Sequence, residues 1–92
     1  MYLLQNVYTS KESASYIVSN KLFQTMEAAV KERDKVIEDA IVNEYSSYDD
    51  DSIDIVNTTL YDKAICGPDF VDAWFITDMK KLESDISDAT AL

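Results

Sequence analysis

Residues 25–47 read Thr-Met-Glu-Ala-Ala-Val-Lys-Glu-Arg-Asp-Lys-Val-Ile-Glu-Asp-Ala-Ile-Val-Asn-Glu-Tyr-Ser-Ser. Apolar side chains recur at Met26, Ala29, Val30, Ile37, Ala40 and Ile41, with Val36 widening the stripe. Steps of three and four put them on one side of a helix. No Gly or Pro interrupts the stretch. Thr25 is a good N-cap, and Glu27 follows where the helix dipole favours an acid. The spacing predicts one long amphipathic helix over residues 25 to about 45. A single apolar stripe needs a surface to pack against, and the flanking segments supply strand candidates.

Upstream, Tyr2 to Tyr8 is mostly apolar or aromatic, with Gln5 and Asn6 interrupting. Ser15 to Ser19 carries the β-prone run Tyr16-Ile17-Val18. The two are expected to form an antiparallel hairpin. Its polar connection, Thr9 to Ser13, has no Gly, so a two-residue turn is not expected. Downstream, Ser46 to Ser52 forms a polar loop. Ile53 to Val56 resumes an alternating pattern with Asp54 outward, and Asn57 to Tyr61 continues it. Asp62 to Asp69 contains Gly67-Pro68, the only Gly and the only Pro, and is expected to turn. Val71 to Thr77 suits a buried final strand, although periodicity also allows a helix in so short an apolar run. Asp78 to Ile86 suits a short helix, with fraying beyond it. The expected fold is α+β: one domain, with a small antiparallel sheet packed against the long helix.

Composition agrees with a folded chain. Leu, Ile, Val and Phe make up 24 of 92 residues, above the roughly 20% below which highly charged chains stay disordered. The chain has no His, which removes triads built on His, the commonest general base and most zinc sites. Cys66 is the only cysteine, so no internal disulfide forms. A lone Cys between Ile65 and Gly67 suits a small buried hydrophobe, and its solitude fits a cytoplasmic setting. Met1 to Asn6 lacks the basic region and long apolar segment of a signal peptide. No apolar run approaches the length of a membrane span.

Charge is the strongest functional signal. Eighteen acids against eight bases leave a net charge of −10. Such a molecule repels nucleic acid and anionic membranes, so its natural partners are basic surfaces. Solubility alone needs less charge. Between Val36 and Asp62 there are eight acids, Glu38, Asp39, Glu44, Asp49, Asp50, Asp51, Asp54 and Asp62, and no Lys or Arg. Acids near a helix C-terminus oppose the dipole and destabilise by roughly a few tenths of a kcal/mol each. A local rule broken without structural gain points to function.

Three other functions compete. Asp50, Ser52 and Asp54 match the first ligand positions of a calcium loop, but Ile55 and Tyr61 stand where Gly and Glu belong. Pro68-Asp69 followed by Asp78-Met79-Lys80 has the order of a magnesium-dependent nuclease signature, although the pattern is short and the net charge repels the substrate. A generic acidic adaptor that binds a basic protein outside its DNA site is the closest competitor.

A DNA mimic must place carboxylates at phosphate-like spacing. Side chains three or four apart on a helix lie about 5–6 Å apart, which approximates a phosphate row. The candidate partner-binding acids are Asp34, Glu38, Asp39, Glu44, Asp49, Asp50, Asp51, Asp54 and Asp62, with a second run at Asp69, Asp72 and Asp78.

In small size, extreme acidity, Tyr/Asp/Ser-rich composition and mixed strand–helix pattern, the chain resembles the phage antirestriction DNA mimics of the Arn family. The likeness is one of overall character along the whole chain, and no residue role is carried over. The resemblance implies a dimeric mimic that inhibits the modification-dependent restriction nuclease McrBC. The resulting expectation is a non-enzymatic protein without cofactor or metal. Its partner is a basic DNA-binding protein of the host, a restriction nuclease or nucleoid protein. A homodimer is also expected, with Tyr2, Tyr48 or Trp74 as apolar anchors.

Overall fold

The computed structural model describes residues 1–12, 14–48, 52–57 and 62–80. Helix α1 spans Met26–Asn43. The Thr25 hydroxyl accepts a hydrogen bond from the Ala28 amide at 3.2 Å, as an N-cap does. At the other end, the Glu44 and Tyr45 amides both donate to the Ala40 carbonyl, at 2.8 and 3.0 Å. That shared acceptor satisfies one terminal carbonyl twice and ends the helix without a glycine.

Among the described residues, five strands form one antiparallel sheet: β1 (Tyr2–Ser10), β2 (Tyr16–Phe23), β3 (Asp54–Asn57), β4 (Lys63–Cys66) and β5 (Phe70–Asp78). Their order is β2-β1-β5-β4-β3. β1 lies between β2 and β5 and runs antiparallel to both, with Tyr2 opposite Asp78 and Ser10 opposite Phe70. The chain leaves the sheet at the β2 edge, runs through α1, and rejoins at the opposite edge as β3. The helix therefore covers one face of the sheet. Beneath it lie Leu4, Ile65, Phe70, Trp74 and Ile76, against Ala29, Ile37 and Ala40 of the helix.

The α+β fold, the hairpin, the helix and the final strand agree with the sequence. Residues 70–78 are strand, which resolves the choice between strand and helix. Four details differ. β2 continues four residues past Ser19 to Phe23, because its polar Asn20 and Lys21 sit on an edge strand still paired to Gln5 and Leu4. Lys63–Cys66 is strand β4, where the sequence suggests only a turn. Its intrinsic β preference is weak, and pairing to both β3 and β5 holds it. Arg33, a charged residue whose chemistry suits the solvent side of the helix, is instead buried alongside Ala29, Ile37 and Ala40. The apolar series skips from Val30 to Ile37, and Arg33 fills the helical step between them. Trp74, expected as an exposed dimer anchor, is a core residue at 2% exposure. The predicted continuation of β3 through Tyr61, the Asp49–Asp51 tip of the loop and most of the C-terminal helix lie outside the described residues.

The turn joining β4 to β5 is closed by the Gly67 amide donating to the Phe70 carbonyl at 3.0 Å. A Cβ at Gly67 would run into the Phe70 ring. That ring is buried and stacked on Tyr45 at 4.8 Å and Tyr8 at 6.0 Å, so it has little room to yield. Gly67→Ala should destabilise by about 1–3 kcal/mol, the usual range for overpacking. Each kcal/mol lowers the melting temperature of a domain this size by roughly 4–8 °C. An unchanged thermal melt would contradict this packing.

The second face of the sheet is open among the described residues. Alternation places Leu3, Val7, Ile17, Leu22, Val56, Val71 and Phe75 on it, with Ala64 and Ala73 between. Leu22 is 58% exposed and Ile17 55%. Among the described strand residues its only charge is Asp54, on edge strand β3.

Candidate functional site

Four of the predicted acids are exposed and have no ion-pair partner among the described residues, three at the helix end and Asp54 on the open face of the sheet. Glu38 and Asp39 lie near the end of α1, Glu44 is its C-cap, and Asp54 starts β3. The last turn of the helix carries no base. Dipole and side chains therefore add negative potential at the same place.

The other predicted acids that the structure describes are engaged internally. Asp34 Oδ1 accepts from Arg33 Nε at 3.0 Å and Nη2 at 2.8 Å, and from Lys63 Nζ at 3.2 Å. Partial burial pushes its carboxyl up, but the bonds from Arg33 and Lys63, with their positive charges, outweigh that and hold it below the usual range. Asp69 pairs with Lys11 at 2.9 Å. Asp62 Oδ1 accepts from the Ile76 amide at 3.0 Å, just past the end of the β4–β5 ladder. Asp78 Oδ1 accepts from the Lys80 amide at 3.0 Å as β5 ends. Asp49, Asp50 and Asp51 lie outside the described residues.

Asp72 corrects the sequence expectation outright. Predicted as part of a surface run, it is 4% exposed. Its Oδ1 accepts from Asn6 Nδ2 at 2.6 Å, and its Oδ2 accepts from the Tyr45 hydroxyl at 2.7 Å. Strand alternation is the reason: even-numbered residues of β5 face the helix, and Asp72 falls between Phe70 and Trp74. Burial first, then the bond to Asp72 and its charge, push the Tyr45 hydroxyl far above its usual range. Tyr45 therefore stays protonated and donates at every working pH.

Asp72 lies on the floor of a cleft of about 340 Å³ between the end of α1 and strands β1, β2 and β5. Tyr8, Tyr16, Tyr45 and Trp74 contribute to its walls, and Asp39 and Glu44 line it from the helix side. Sequence reasoning picked out these two acids by charge, but not the aromatic walls. A period-two alignment of Phe70, Asp72, Trp74 and Ile76 was the available signal for Asp72.

The other chemical patterns find little geometric support. Asp69 precedes β5 and Asp78 ends it, so the nuclease-like carboxylates lie at opposite ends of a nine-residue strand. At about 3.3 Å per residue that separation far exceeds the reach of one ion. The calcium pattern includes Asp50, outside the described residues. Among the described residues, no three His, Cys, Asp or Glu side chains group to hold a metal. No described helix is long and apolar enough to cross a membrane.

Among the described residues the fold is an antiparallel sheet of five strands with one face covered by helix α1. Comparison with protein-family models, curated proteins and solved structures finds no match.

Proposed function

We propose that the protein is a DNA decoy that binds the DNA-binding site of a basic host protein and blocks it without catalysis. The observation that carries this is the exposed trio Glu38, Asp39 and Glu44, kept toward the helix end where the dipole opposes them and where the last turn carries no base. The Asp49–Asp51 run adds to the acidic character by its charge, whereas Asp54 lies on the open face of the sheet and is not part of this surface. Asp72 is buried, and Asp34, Asp62, Asp69 and Asp78 have partners within the chain, which leaves a smaller mimicking surface than twelve acids would provide. The resemblance to the Arn family adds antirestriction as the purpose and a restriction nuclease as the partner. The host cytoplasm is the setting this function requires.

The test is capture of the partner from host lysate, followed by competition with duplex DNA. Displacement of the protein by duplex is expected. A captured partner that holds duplex and this protein together would establish the acidic adaptor instead.

The proposed assembly is a homodimer through the open sheet face. Two copies at −10 repel, and a nearly uncharged face is where they can meet. Strands about 4.8 Å apart and rising about 3.3 Å per residue give this face a plan area of about 500 Å². A standard interface takes about 800 Å² of accessible surface per partner, and side-chain relief raises accessible area above plan area. Equilibrium sedimentation should show a dimer that persists in high salt, converted to monomer by Leu22→Lys or Val71→Lys. A wild-type monomer at every salt concentration contradicts the assembly.

A further inference from the structure

We propose that the cleft between the end of α1 and strands β1, β2 and β5 is a receptor for a single arginine side chain. The inference rests on the partner being basic and specifies what this part of the surface grips.

Three features converge on that ligand. The first is shape and lining: a cleft of about 340 Å³ is walled in part by Tyr8, Tyr16, Tyr45 and Trp74. Tyr8 and Tyr16 are inclined to each other at 50°, with centroids 5.6 Å apart. Aromatic faces attract cations, and a flat guanidinium stacks on them better than an ammonium does.

The second is the floor. Asp72 is 4% exposed, and its bonds come from a neutral amide and a neutral hydroxyl. Among the described residues it has no ion pair. Buried carboxylates are normally paired with a cation. Each Asp72 oxygen accepts one of these bonds and retains acceptor capacity for another, so an incoming guanidinium can be bound without breaking the network.

The third is the approach. Asp39 and Glu44 line the same cleft, and both are exposed near the helix end. They draw a cation toward the site, while Tyr16, 53% exposed, offers its ring near the solvent. Arg33, the chain's one arginine, is engaged with Asp34 and does not fill the cleft.

The probe is N-acetyl-arginine methylamide, titrated against the whole protein and followed by amide and Trp74 indole chemical shifts. The expected result is saturable binding in the millimolar range with shifts centred on Tyr45, Asp72 and Trp74. The neutral citrulline analogue should bind at least tenfold more weakly, and the lysine analogue several-fold more weakly. Asp72→Asn, which can still bond to Asn6 and Tyr45, should lose at least tenfold. Tyr16→Ala, at an exposed position, supplies a second variant that does not disturb the core and should lose several-fold. Equal binding of the arginine and citrulline analogues overturns the proposal, as does retained affinity in both variants. A lysine analogue that binds as tightly as arginine overturns the assignment to arginine. The titration contains neither partner nor duplex, so its failure leaves the decoy function standing, and failure of the duplex competition leaves the cleft standing.

Discussion

Changing Glu38, Asp39 and Glu44 together to Gln, Asn and Gln should weaken capture of the basic partner by roughly ten- to a hundredfold at low salt. That corresponds to about 0.5–1 kcal/mol for each charge facing a complementary surface. The salt dependence should flatten as well, because the lost attraction is the part that ions screen. Each single substitution should have a much smaller effect, since a distributed charged surface has no lone hot spot. Stability should move the other way. The three acids sit at a helix end without a base in the last turn, so removing their charge relieves roughly a few tenths of a kcal/mol at each position. A variant that melts higher and binds worse separates recognition from folding. Titration calorimetry at several salt concentrations, paired with thermal melts, checks both signs. Unchanged affinity together with unchanged salt dependence would remove these acids from the interface.

Trp74→Ala should come close to unfolding the protein. Among the described residues, Trp74 and Ile65 are the largest fully buried side chains, and Trp74 lies beneath the helix between Asp72 and Ile76. Truncating a buried Trp costs about 3–5 kcal/mol through lost burial and the cavity left behind. A domain with total stability of about 5–15 kcal/mol has little in reserve against that loss. Urea denaturation should show a midpoint sharply lowered, or a chain already unfolded in water. A midpoint shift worth less than about 1 kcal/mol would mean that Trp74 is the surface anchor its sequence context suggested.

The two experiments probe different parts of one arrangement. The helix is held by its inward stripe, and that stripe sets which acids look outward. Trp74 also contributes to the cleft wall, so its loss removes both core and candidate site. The charge variants leave the core untouched.

Local pattern sufficed for the helix, its Thr25 cap and the first hairpin. It leaves the final stretch open to strand or helix, and pairing with β1 and β4 makes that stretch a strand. Periodicity, capping chemistry and β-branched or aromatic runs act within a few residues, and a chain displays them directly. Net charge and the base-free window likewise needed no coordinates. The rest depended on contacts between distant parts of the chain. Four residues of low strand preference became β4 because two neighbours paired with them. Arg33 went inward because helical geometry put it at the missing step of the stripe, where Asp34 meets its charge. Acids that look alike in a sequence took four fates: Glu38, Asp39, Glu44 and Asp54 exposed, Asp34 and Asp69 in ion pairs, Asp62 and Asp78 on backbone amides, and Asp72 beneath the helix. The physical reason is that a carboxylate's role depends on what lies within a few ångströms of it. For Asp72 those neighbours are Asn6 and Tyr45, distant in sequence and brought together only by the sheet and the helix that crosses it.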